Sequence, residues 1–268
     1  MFKVVASDLD GTLLAPDHSL TTLAKETLQT LSKNKGVDVV LATGRHHVDV
    51  ARIRNNLNID HGYFIASNGA VVQNSAGEII FEHVIPAELA ARLYDLVKDD
   101  KEILTNVYRK DEWHMNNDVP EVKKWFTESN FTYKVFKHDG SLPLDGVHKV
   151  FYVSLNHDRL LQLEQQLIES FPDVAVCFAS TFSLEVMQKG VSKGNALEEV
   201  VKLLGHTMQD VVSFGDSMND LEMLSMSGKG CLMENAQQRL KDSLPSNDII
   251  GSNTSDAVPN YLRRIYSL

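Results

Sequence analysis

The chain has 268 residues, of which 43% are hydrophobic and 23% charged, the balance of a globular protein with a sizeable core. Its net charge of −10, without any lysine- or arginine-rich run, argues against a nucleic-acid binder or a protein that docks on acidic membranes. No apolar run reaches the length of a membrane span and no signal-peptide pattern is present, so we expect a cytoplasmic protein, and no feature indicates an obligate protein partner. The two cysteines, Cys177 and Cys231, stand in apolar stretches and are expected to be buried and reduced.

The first part of the chain, residues 1–84, alternates predicted strands and helices. Apolar runs such as VDVVLA predict buried strands, and leucines at helical spacing predict amphipathic helices. The predicted elements are a strand at 2–8, a helix at 20–33, a strand at 37–42, a helix at 47–57 and short strands within 62–84. Continuous apolar strands in alternation with helices are typical of a parallel sheet covered by helices.

Residues 85–187 have a different pattern, with several short strands of largely alternating polar and apolar residues. The predicted elements are helices at 87–98 and 158–171, and strands at 103–108, 132–137, 149–155, 174–180 and 183–187. Alternation predicts an open antiparallel sheet with helices on one of its faces. This block therefore has the character of an inserted α+β domain.

The alternation of buried strands and helices returns in residues 188–268. The predicted elements are a helix at 192–205, a strand at 210–216, a helix at 219–228, a short strand at 228–233 and a last helix at 256–266. The sequence therefore predicts an α/β fold, in which the first and last parts of the chain build one parallel-sheet core and the middle block is inserted between them.

Two carboxylates, Asp8 and Asp10, follow the first strand in the stretch SDLDGTLL. Carboxylates about 5 Å apart at an effective dielectric constant of 20 repel each other by roughly 3 kcal/mol, which requires compensation. A hard cation such as Mg²⁺ supplies it, because Mg²⁺ prefers a few carboxylates together with water and phosphate oxygens. If the strand continued through both residues, their side chains would point to the same side.

Thr43, Gly44 and Arg45 follow the second strand. A hydroxyl and accessible backbone N–H groups at a strand-to-helix turn suit a phosphate oxygen, but such turns are also common without a ligand. Arg45 fits either a phosphate contact or a structural ion pair. The next residues, His46 and His47, lack the spacing of metal ligands on a helix and are expected to be a solvated or capping pair.

The last part of the chain adds a lysine and a second acidic cluster. Lys193 lies at a predicted helix start, where the helix dipole disfavours a cation, so an anion is expected to face it, although this segment taken alone also fits a surface lysine near a helix cap. Asp216 ends a strand, and Asn219 and Asp220 follow three and four residues later, a spacing that gathers the three side chains on one helix face. The carboxyl ends of the strands are where open α/β sheets bind their ligands, so we expect a site there.

The motifs DLDGT, Thr-Gly after a strand, a lysine and GDSMND, in this order, resemble those of the haloacid dehalogenase-like (HAD) phosphatases, and the resemblance extends over the whole chain. The inserted block resembles the type-IIB, Cof-like cap of that family. The resemblance implies a Rossmann-like parallel-sheet core with an inserted α+β cap of type C2B. Stretches such as ATGRHHVDV and LEVMQKGVSKGNAL resemble one group of family members in particular. The proteins of this group are similar to phosphatases of sugar phosphates and pyridoxal phosphate.

The resemblance also implies a role for each motif residue. Asp8 would be the nucleophile that becomes an aspartyl phosphate, and Asp10 would be the general acid/base. Mg²⁺ would be held by the Asp8 carboxylate, the Asp10 backbone carbonyl and Asp216. Asp220 would support Lys193 or the water shell of the metal. The groups that would hold the phosphoryl oxygens are the backbone of Leu9 and the residues Thr43, Gly44, Lys193 and Asn219.

We therefore expect an Mg²⁺-dependent phosphatase for small phosphorylated metabolites, with the cap closing over the site and excluding water. The alternatives are a phosphomutase of the phosphomannomutase type and, as a non-enzymatic function, a phospho-aspartyl switch. In the cap, the polar segment 109–117 is interpreted either as a substrate-contacting strand or loop or as an exposed hairpin.

Overall fold

The computed structural model describes residues 1–59, 61–125 and 131–268. The helices of these residues are α1 (Thr22–Lys35), α2 (His47–Leu57), α3 (Ala87–Asp95), α4 (Pro120–Trp125), α5 (His157–Ser170), α6 (Lys193–Leu203), α7 (Leu221–Met226), α8 (Gln238–Ser243) and α9 (Ala257–Tyr266). The strands are β1 (Val4–Ser7), β2 (Asp38–Ala42), β3 (Gly62–Ala66), β4 (Val71–Asn74), β5 (Ile79–Glu82), β6 (Leu104–Arg109), β7 (Glu112–Met115), β8 (Tyr133–Val135), β9 (Val147–Val153), β10 (Val174–Ser180), β11 (Ser183–Gln188), β12 (Val211–Gly215), β13 (Lys229–Met233) and β14 (Asp248–Gly251). Among these helices, none combines the length and the apolar character that a membrane span requires.

The first sheet, named the core sheet here, has the strand order β14-β13-β12-β1-β2-β3-β4-β5. Its strands from β14 to β3 are parallel, and β4 and β5 extend it in antiparallel fashion. Because β12, β1 and β2 are parallel neighbours in the middle of the sheet, their carboxyl ends lie side by side.

Successive residues of the central strands pack on opposite faces of the core sheet. Val5 of β1 packs in a cluster with apolar residues of α1, α2 and α9, whereas Val4 and Ala6 pack with those of α6 and α7. The sheet is therefore buried on both faces, which is why its central strands read as continuous apolar runs. Gly36 ends α1 in the left-handed conformation, between the helix predicted at 20–33 and the strand predicted at 37–42.

The second sheet, with the order β10-β11-β9-β6-β7-β8, forms the cap together with α3, α4 and α5. Val150 and Tyr152 of β9 pack against α3 and α5, as the alternating pattern predicts. Lys149 and Phe151 alternate with them and lie on the opposite face, which rests on the core. The wholly antiparallel sheet that we expected is wrong at one edge, where β7 and β8 are parallel. Val122 of α4 packs on the core-facing side, so the helices are not confined to one face.

Three elements have no counterpart in the sequence patterns: β14, α4 and α8. β7 lies within the segment 109–117, which the sequence left open between a strand or loop and an exposed hairpin. β14 has 4 residues and α8 has 6, too few to display a period. β7 carries the polar-looking sequence EWHM, and it becomes a strand because it pairs with β6 along its whole length. Both cysteines are free as expected, with Cys231 buried but Cys177 only half-buried.

Candidate active site

The residues singled out by the sequence meet at the carboxyl end of the core sheet. Asp8 directly follows β1, Thr43 follows β2 and Asp216 follows β12. Ser192 caps α6 by accepting a hydrogen bond from a backbone N–H of its first turn, so Lys193 becomes the first helical residue. The topology therefore brings side chains from four separate parts of the chain to one edge of the sheet.

Lys193 joins two acidic residues at the centre of this site. Its Nζ donates to Oδ1 of Asp8 at 2.6 Å and to Oδ1 of Asp220 at 2.7 Å. The lysine is 1% exposed, and both carboxylates are buried. The backbone N–H groups of Asp216 and Ser217 donate to Oδ2 of Asp220, each at 3.0 Å. Asp220 is thus held by the turn before α7, and it supports Lys193 from a fixed position.

The charges of this cluster do not balance. Burial raises the pKa of Asp8 well above its usual value, and Asp220 and Asp216 add to the effect while Lys193 opposes it. Burial also works to lower the pKa of Lys193, but Asp220 and Asp8 outweigh burial and raise it. Three acidic side chains thus share one cation, so a further positive charge would stabilise the ionised site.

Asp216 completes a donor set that suits a divalent metal. Its Oδ1 accepts a hydrogen bond from Thr12 Oγ1 at 3.0 Å and its Oδ2 one from Ser217 Oγ at 3.2 Å. Burial and the neighbouring Asp220 nevertheless raise the pKa of Asp216 to about 6. One carboxylate oxygen from each of Asp8, Asp216 and Asp220 lies within 4.8 Å of the others. Mg²⁺ prefers closely spaced carboxylate oxygens, and Lys193 offsets the charge of these three carboxylates only in part, so the residues fit this metal.

Asp8 and Asp10 do not continue β1, because the strand stops at Ser7. The chain turns at once, with Gly11 at a φ of 79°. A Cβ on Gly11 would lie 2.6 Å from Oδ2 of Asp216, so the turn requires glycine both for its conformation and for its space. Because β1 does not continue through Asp8 and Asp10, these two carboxylates do not lie on the same side of one strand, and they have different surroundings.

Asp10 is bound by two basic side chains. Arg45 donates to it twice, from Nε to Oδ2 at 2.7 Å and from Nη2 to Oδ1 at 2.5 Å, and Nδ1 of His18 lies 2.7 Å from Oδ1. Burial works to raise the pKa of Asp10, but hydrogen bonds from Arg45 and His18 outweigh it and hold the pKa well below its usual range. Arg45 also donates to Asp49 at 3.2 Å. Of the two roles that the sequence left open for Arg45, this structure shows the ion pair.

A cavity of about 780 Å³ opens over these groups. The predicted residues that line it are Asp8, Asp10, Thr43, Gly44 and Asn219. Thr43 is buried, and its Oγ1 accepts a hydrogen bond from the backbone N–H of Arg45 at 3.1 Å. The side chain of Leu9 is buried in the core beneath the sheet edge, so only its backbone is available to a ligand. Lys193 does not line the cavity and reaches it through its contact with Asp8.

The cap contributes a second group of polar residues, which the sequence reasoning missed. Nζ of Lys149 in β9 donates to the carbonyl of Gly44 at 2.6 Å and to Oε1 of Glu185 in β11 at 2.8 Å. Glu185 also accepts from Nδ2 of Asn68, and Oδ1 of Asn68 accepts from Nδ2 of Asn219 at 3.0 Å. A chain of hydrogen bonds therefore connects the cap strands to two residues of the predicted phosphate site.

Two signals in the sequence could have revealed this group. Lys149 and Glu185 are charged residues within the largely apolar strand sequences HKVFYV and LEVM. A charge in a strand that is covered on both faces must be paired, so each should have been assigned a partner. Asn68 stands in the turn SNG with a φ of 57°, a conformation that asparagine tolerates better than most residues.

The histidine pair at the start of α2 is not solvated. His46 and His47 are 0% and 4% exposed because the cap covers them, with the ring of Phe131 stacked on His46. The expectation of a solvated pair is therefore wrong for both rings. The other expectation, that the pair caps a helix, holds for His46: this residue is the N-cap of α2, and its Nδ1 accepts the backbone N–H of Val48 at 3.1 Å.

The segment 109–117 is a hairpin, but it is not exposed as one interpretation expected. It contains the turn between β6 and β7 and the whole of β7, and its residues Trp113, His114 and Met115 are buried. The substrate-contact interpretation is not supported either, because none of the residues 109–117 lines the cavity. The cap residue that does so in this region is the preceding Tyr108.

Known proteins resemble this chain over its whole length. Residues 5–262 match the haloacid dehalogenase-like hydrolase family. A Haemophilus influenzae protein is 39% identical over 271 residues, which cover 100% of this chain and 98% of that protein. The HMP-PP phosphatase of Escherichia fergusonii is 36% identical over 265 residues, which cover 98% of this chain and 95% of that protein.

The comparison with solved structures supports the same assignment at the level of the fold. The structure of a HAD subclass IIB sugar phosphatase matches with a TM-score of 0.81 and 20% identity, over 99% of this chain and 100% of that one. The expected Rossmann-like core with an inserted cap is therefore confirmed. On the strength of the family match, the sequence relatives and the shared fold, the chain belongs to the haloacid dehalogenase-like hydrolase family and is a phosphatase.

Proposed function

We propose that the protein is an Mg²⁺-dependent phosphatase that hydrolyses small phosphorylated metabolites by way of a phosphorylated Asp8. The observation that carries this proposal is the buried cluster of Asp8, Lys193 and Asp216 at one cavity. It combines a carboxylate open to the cavity, a lysine bound to that carboxylate and a second carboxylate within metal-sharing distance. A carboxylate nucleophile beside fixed positive charge is what phosphoryl transfer through an acyl phosphate requires.

The proposed reaction has two steps. In the first, a carboxylate oxygen of Asp8 forms a bond to phosphorus while the bond between phosphorus and the ester oxygen breaks, and the leaving oxygen takes a proton from Asp10. In the second, water attacks the phosphorus of the aspartyl phosphate and gives a proton to Asp10. Inorganic phosphate leaves and the Asp8 carboxylate is regenerated.

The two steps need Asp10 in opposite protonation states. The contacts with Arg45 and His18 hold Asp10 as a carboxylate, which is the form that accepts a proton from water in the second step. For the first step Asp10 must carry a proton. We therefore expect the guanidinium of Arg45 to leave Asp10 when a substrate phosphate enters the cavity.

The phosphoryl oxygens have several partners in this arrangement. The groups proposed to hold them are the Thr43 hydroxyl, Lys193, the Asn219 amide and the backbone N–H groups at Leu9 and Gly44. Lys193 can serve because its ammonium has three donors, of which Asp8 and Asp220 occupy two. When bound by Asp8, Asp216 and the backbone carbonyl of Asp10, Mg²⁺ would neutralise charge on the phosphoryl group.

The residues of the cap that line the cavity favour a substrate whose leaving group carries several hydroxyl groups. Ser180, Ser183, Glu185 and Lys149 line this wall, and such groups form hydrogen bonds with sugar hydroxyls. A sugar phosphate is therefore the proposed class, with pyridoxal phosphate as the second because the aromatic ring of Tyr108 also lines the cavity. A panel of sugar phosphates, pyridoxal phosphate and the HMP-PP of the named relatives, compared by kcat/KM, tests this order. A preference of tenfold or more for a substrate without hydroxyl groups would contradict it.

The catalytic part of the proposal is tested by phosphate release from a generic aryl phosphate. Asp8→Asn is expected to lower the rate by about 10³-fold or more, since it removes the nucleophile. Chelation of divalent metal should stop the wild-type enzyme, and added Mg²⁺ should restore it. Asp17→Asn is the matched control, because Asp17 also lines the cavity but is exposed and accepts hydrogen bonds from Ser19 in its own loop. Wild-type rates in Asp8→Asn would refute the proposal.

Asp10→Asn separates proton transfer from metal binding. The backbone carbonyl proposed as a metal ligand remains in this variant, so Mg²⁺ affinity should change little while turnover stops. The affinity is measured by calorimetry and the turnover by phosphate release. A simultaneous loss of metal binding would contradict this division between the side chain and the backbone of Asp10.

A further inference from the structure

Three histidines meet where the cap rests on the core, outside the set of residues that line the catalytic cavity. His46 and His47 stand at the start of α2 in the core, and His148 stands in β9 of the cap. Their exposed fractions are 0%, 4% and 1%. One ring nitrogen of each lies within 4.8 Å of one from each of the others.

Each ring has one nitrogen that is buried and has no hydrogen-bond partner among the described residues. These atoms are Nε2 of His46, Nδ1 of His47 and Nδ1 of His148. A buried polar atom without a partner destabilises the folded state, so three of them in one small space indicate a polar species that binds between them. The remaining nitrogens show what that species must be.

His47 and His148 both present a free lone pair. Nε2 of His47 lies 2.9 Å from Oδ1 of Asp111, and Nε2 of His148 lies 3.1 Å from Oε2 of Glu82. Ionised carboxylates only accept, so both Nε2 atoms carry a ring proton, and in the neutral form of each ring Nδ1 presents the free lone pair. A carboxylate behind the distal nitrogen is also the usual support of a metal-binding imidazole, because it fixes the tautomer and raises the basicity of the ligand.

His46 has the opposite arrangement. Its Nδ1 accepts the backbone N–H of Val48, so Nε2 carries the proton of the neutral ring and can only donate. The backbone of Lys110 lies near enough to His46 to raise its pKa, but among the described residues no acceptor meets the geometry of a hydrogen bond to Nε2. Burial lowers the pKa of His46 and of His148, with His47 adding to the effect in both cases, which keeps these rings neutral near pH 7. The backbone of Lys110 beside His46 and the carboxylate of Glu82 beside His148 act in the opposite direction without reversing the shifts.

We propose that Nδ1 of His47 and Nδ1 of His148 bind a divalent transition metal of the Zn²⁺ class, with a metal-bound water that accepts a hydrogen bond from Nε2 of His46. Imidazole suits Zn²⁺, whereas Mg²⁺ prefers oxygen ligands, so this site is distinct from the carboxylate cluster. Zinc–nitrogen bonds of about 2.1 Å place two ligand atoms roughly 3.4 Å apart, so ring nitrogens that lie within 4.8 Å of each other need to close in by at most about 1.4 Å.

The site joins the cap to the core, and on the proposed function the cap moves away from the core when substrate and product exchange. His47 belongs to the core and His148 to the cap, so an ion between them would hold the cap in the position seen here. Because substrates and products reach the cavity by cap opening, a bound ion is expected to lower kcat. Zinc-class metals would thus act as inhibitors through the cap and not through the nucleophile.

The test is Zn²⁺ binding to the full chain in saturating Mg²⁺, measured by equilibrium dialysis and calorimetry. The wild type should bind one Zn²⁺ that His47→Ala and His148→Ala bind at least tenfold more weakly. His206→Ala is the matched control, since this histidine pairs with Asp38 away from the cluster and should bind as the wild type does. The carboxylate site is present in every variant, so the difference belongs to the histidines. Equal binding in the wild type and in His148→Ala would overturn the proposal and assign the space to a buried water.

A second readout guards against variants that fold poorly and does not depend on catalysis. Zn²⁺ should raise the melting temperature of the wild type but not that of His148→Gln, which keeps a polar side chain of similar size. In phosphate-release assays, Zn²⁺ should lower the kcat of the wild type more than that of His148→Gln. Equal inhibition of both would place the effect at the carboxylate site and overturn the role of the histidines in holding the cap.

Discussion

Lys193 in the core and Lys149 in the cap are both buried and both bound to carboxylates, yet their surroundings shift their pKa values in opposite directions. Burial lowers the pKa of each. For Lys193 the two carboxylates of Asp220 and Asp8 outweigh burial and the pKa rises. For Lys149 the single carboxylate of Glu185 does not outweigh burial and the pKa falls. The core lysine has more negative charge around it than it can neutralise, and the cap lysine has less than it needs.

The difference indicates two kinds of site within one cavity. The core end is a charged cluster that calls for further cations and serves the phosphoryl group of any substrate. The cap end is a polar network, in which Lys149 is partnered by one carboxylate and the carbonyl of Gly44. A substrate hydroxyl can replace either contact at little cost, so we expect the cap end to discriminate between substrates.

The largest effect is expected from Lys193→Met. This variant leaves Asp8 and Asp220 buried without a cation, so the free energy of unfolding should fall by about 3–5 kcal/mol and phosphate release by roughly 10³-fold. Urea unfolding and the aryl phosphate assay measure the two effects. Lys202→Met is the control on the same helix, because its pair with Glu198 is exposed and is worth less than about 1 kcal/mol. Similar stabilities for the two variants would mean that the core cluster does not depend on its lysine.

Lys149→Met should have an intermediate effect and should separate substrates. Glu185 stays buried and keeps Asn68 as a partner, so the free energy of unfolding should be about 1–3 kcal/mol lower than in the wild type. We expect kcat/KM to fall about tenfold for sugar phosphates and less for an aryl phosphate, because only the former use the cap wall. The double variant Lys149→Met/Glu185→Gln should recover about 1 kcal/mol of the loss, as measured in a double-mutant cycle. Strict additivity would show that the pair acts as two independent residues.

Arg45→Met tests the control of Asp10 through its pH dependence. Hydrogen bonds from Arg45 lower the pKa of Asp10, so removal of the guanidinium should raise it. The first reaction step needs protonated Asp10, hence the alkaline limb of kcat/KM should move to higher pH by about one unit. His18→Ala should move the same limb in the same direction but by less, because His18 is 68% exposed and its charge is screened. An unchanged limb in Arg45→Met would argue against Asp10 as the acid.

The pair of Asp10 and Arg45 also predicts how the stability of the folded protein changes with pH. A carboxyl group whose pKa is lower in the folded state stabilises the protein above its unfolded pKa of about 3.9 and loses that contribution as the pH falls towards the folded value. Below about pH 4, the stability of the wild type should therefore decline more steeply than that of Arg45→Met. Thermal unfolding across this range measures the difference, and parallel curves would contradict it.

The smallest effect is expected from Gly44→Ala, at the boundary between core and cap. A Cβ there would lie 3.1 Å from Oδ1 of Asn68 and 3.1 Å from Oε2 of Glu185, so both side chains must shift by a few tenths of an ångström. We expect a two- to fivefold rise in KM for sugar phosphates with a change in stability of less than about 1 kcal/mol. A tenfold loss of kcat would contradict this expectation and show that the added methyl group displaces the Gly44 N–H from the phosphoryl oxygen.

The residues of the core end were predictable because each stands next to a strongly patterned element. Asp8 and Asp216 follow apolar runs that could only be buried strands, and Lys193 opens a helix with a clear cap. The rule that ligands bind beyond the carboxyl ends of parallel strands then places all three together without knowledge of any distance. The cap end had no such rule, because an antiparallel strand can turn its polar residues to solvent or to a partner domain with the same alternation.

The amino-acid sequence by itself determined the class of fold, the order of core and cap, and the motif residues at the edge of the core sheet, because periodicity and local turn chemistry are written in neighbouring residues. The tertiary structure decided what depends on contacts between distant segments. In the tertiary structure β1 ends at Ser7, so Asp8 and Asp10 lie in different surroundings, and Asp10 pairs with Arg45. Lys149 and His148 of the cap lie against the core. Burial and pairing of these charges arise only when cap and core meet, and a one-dimensional pattern carries no information about that distance.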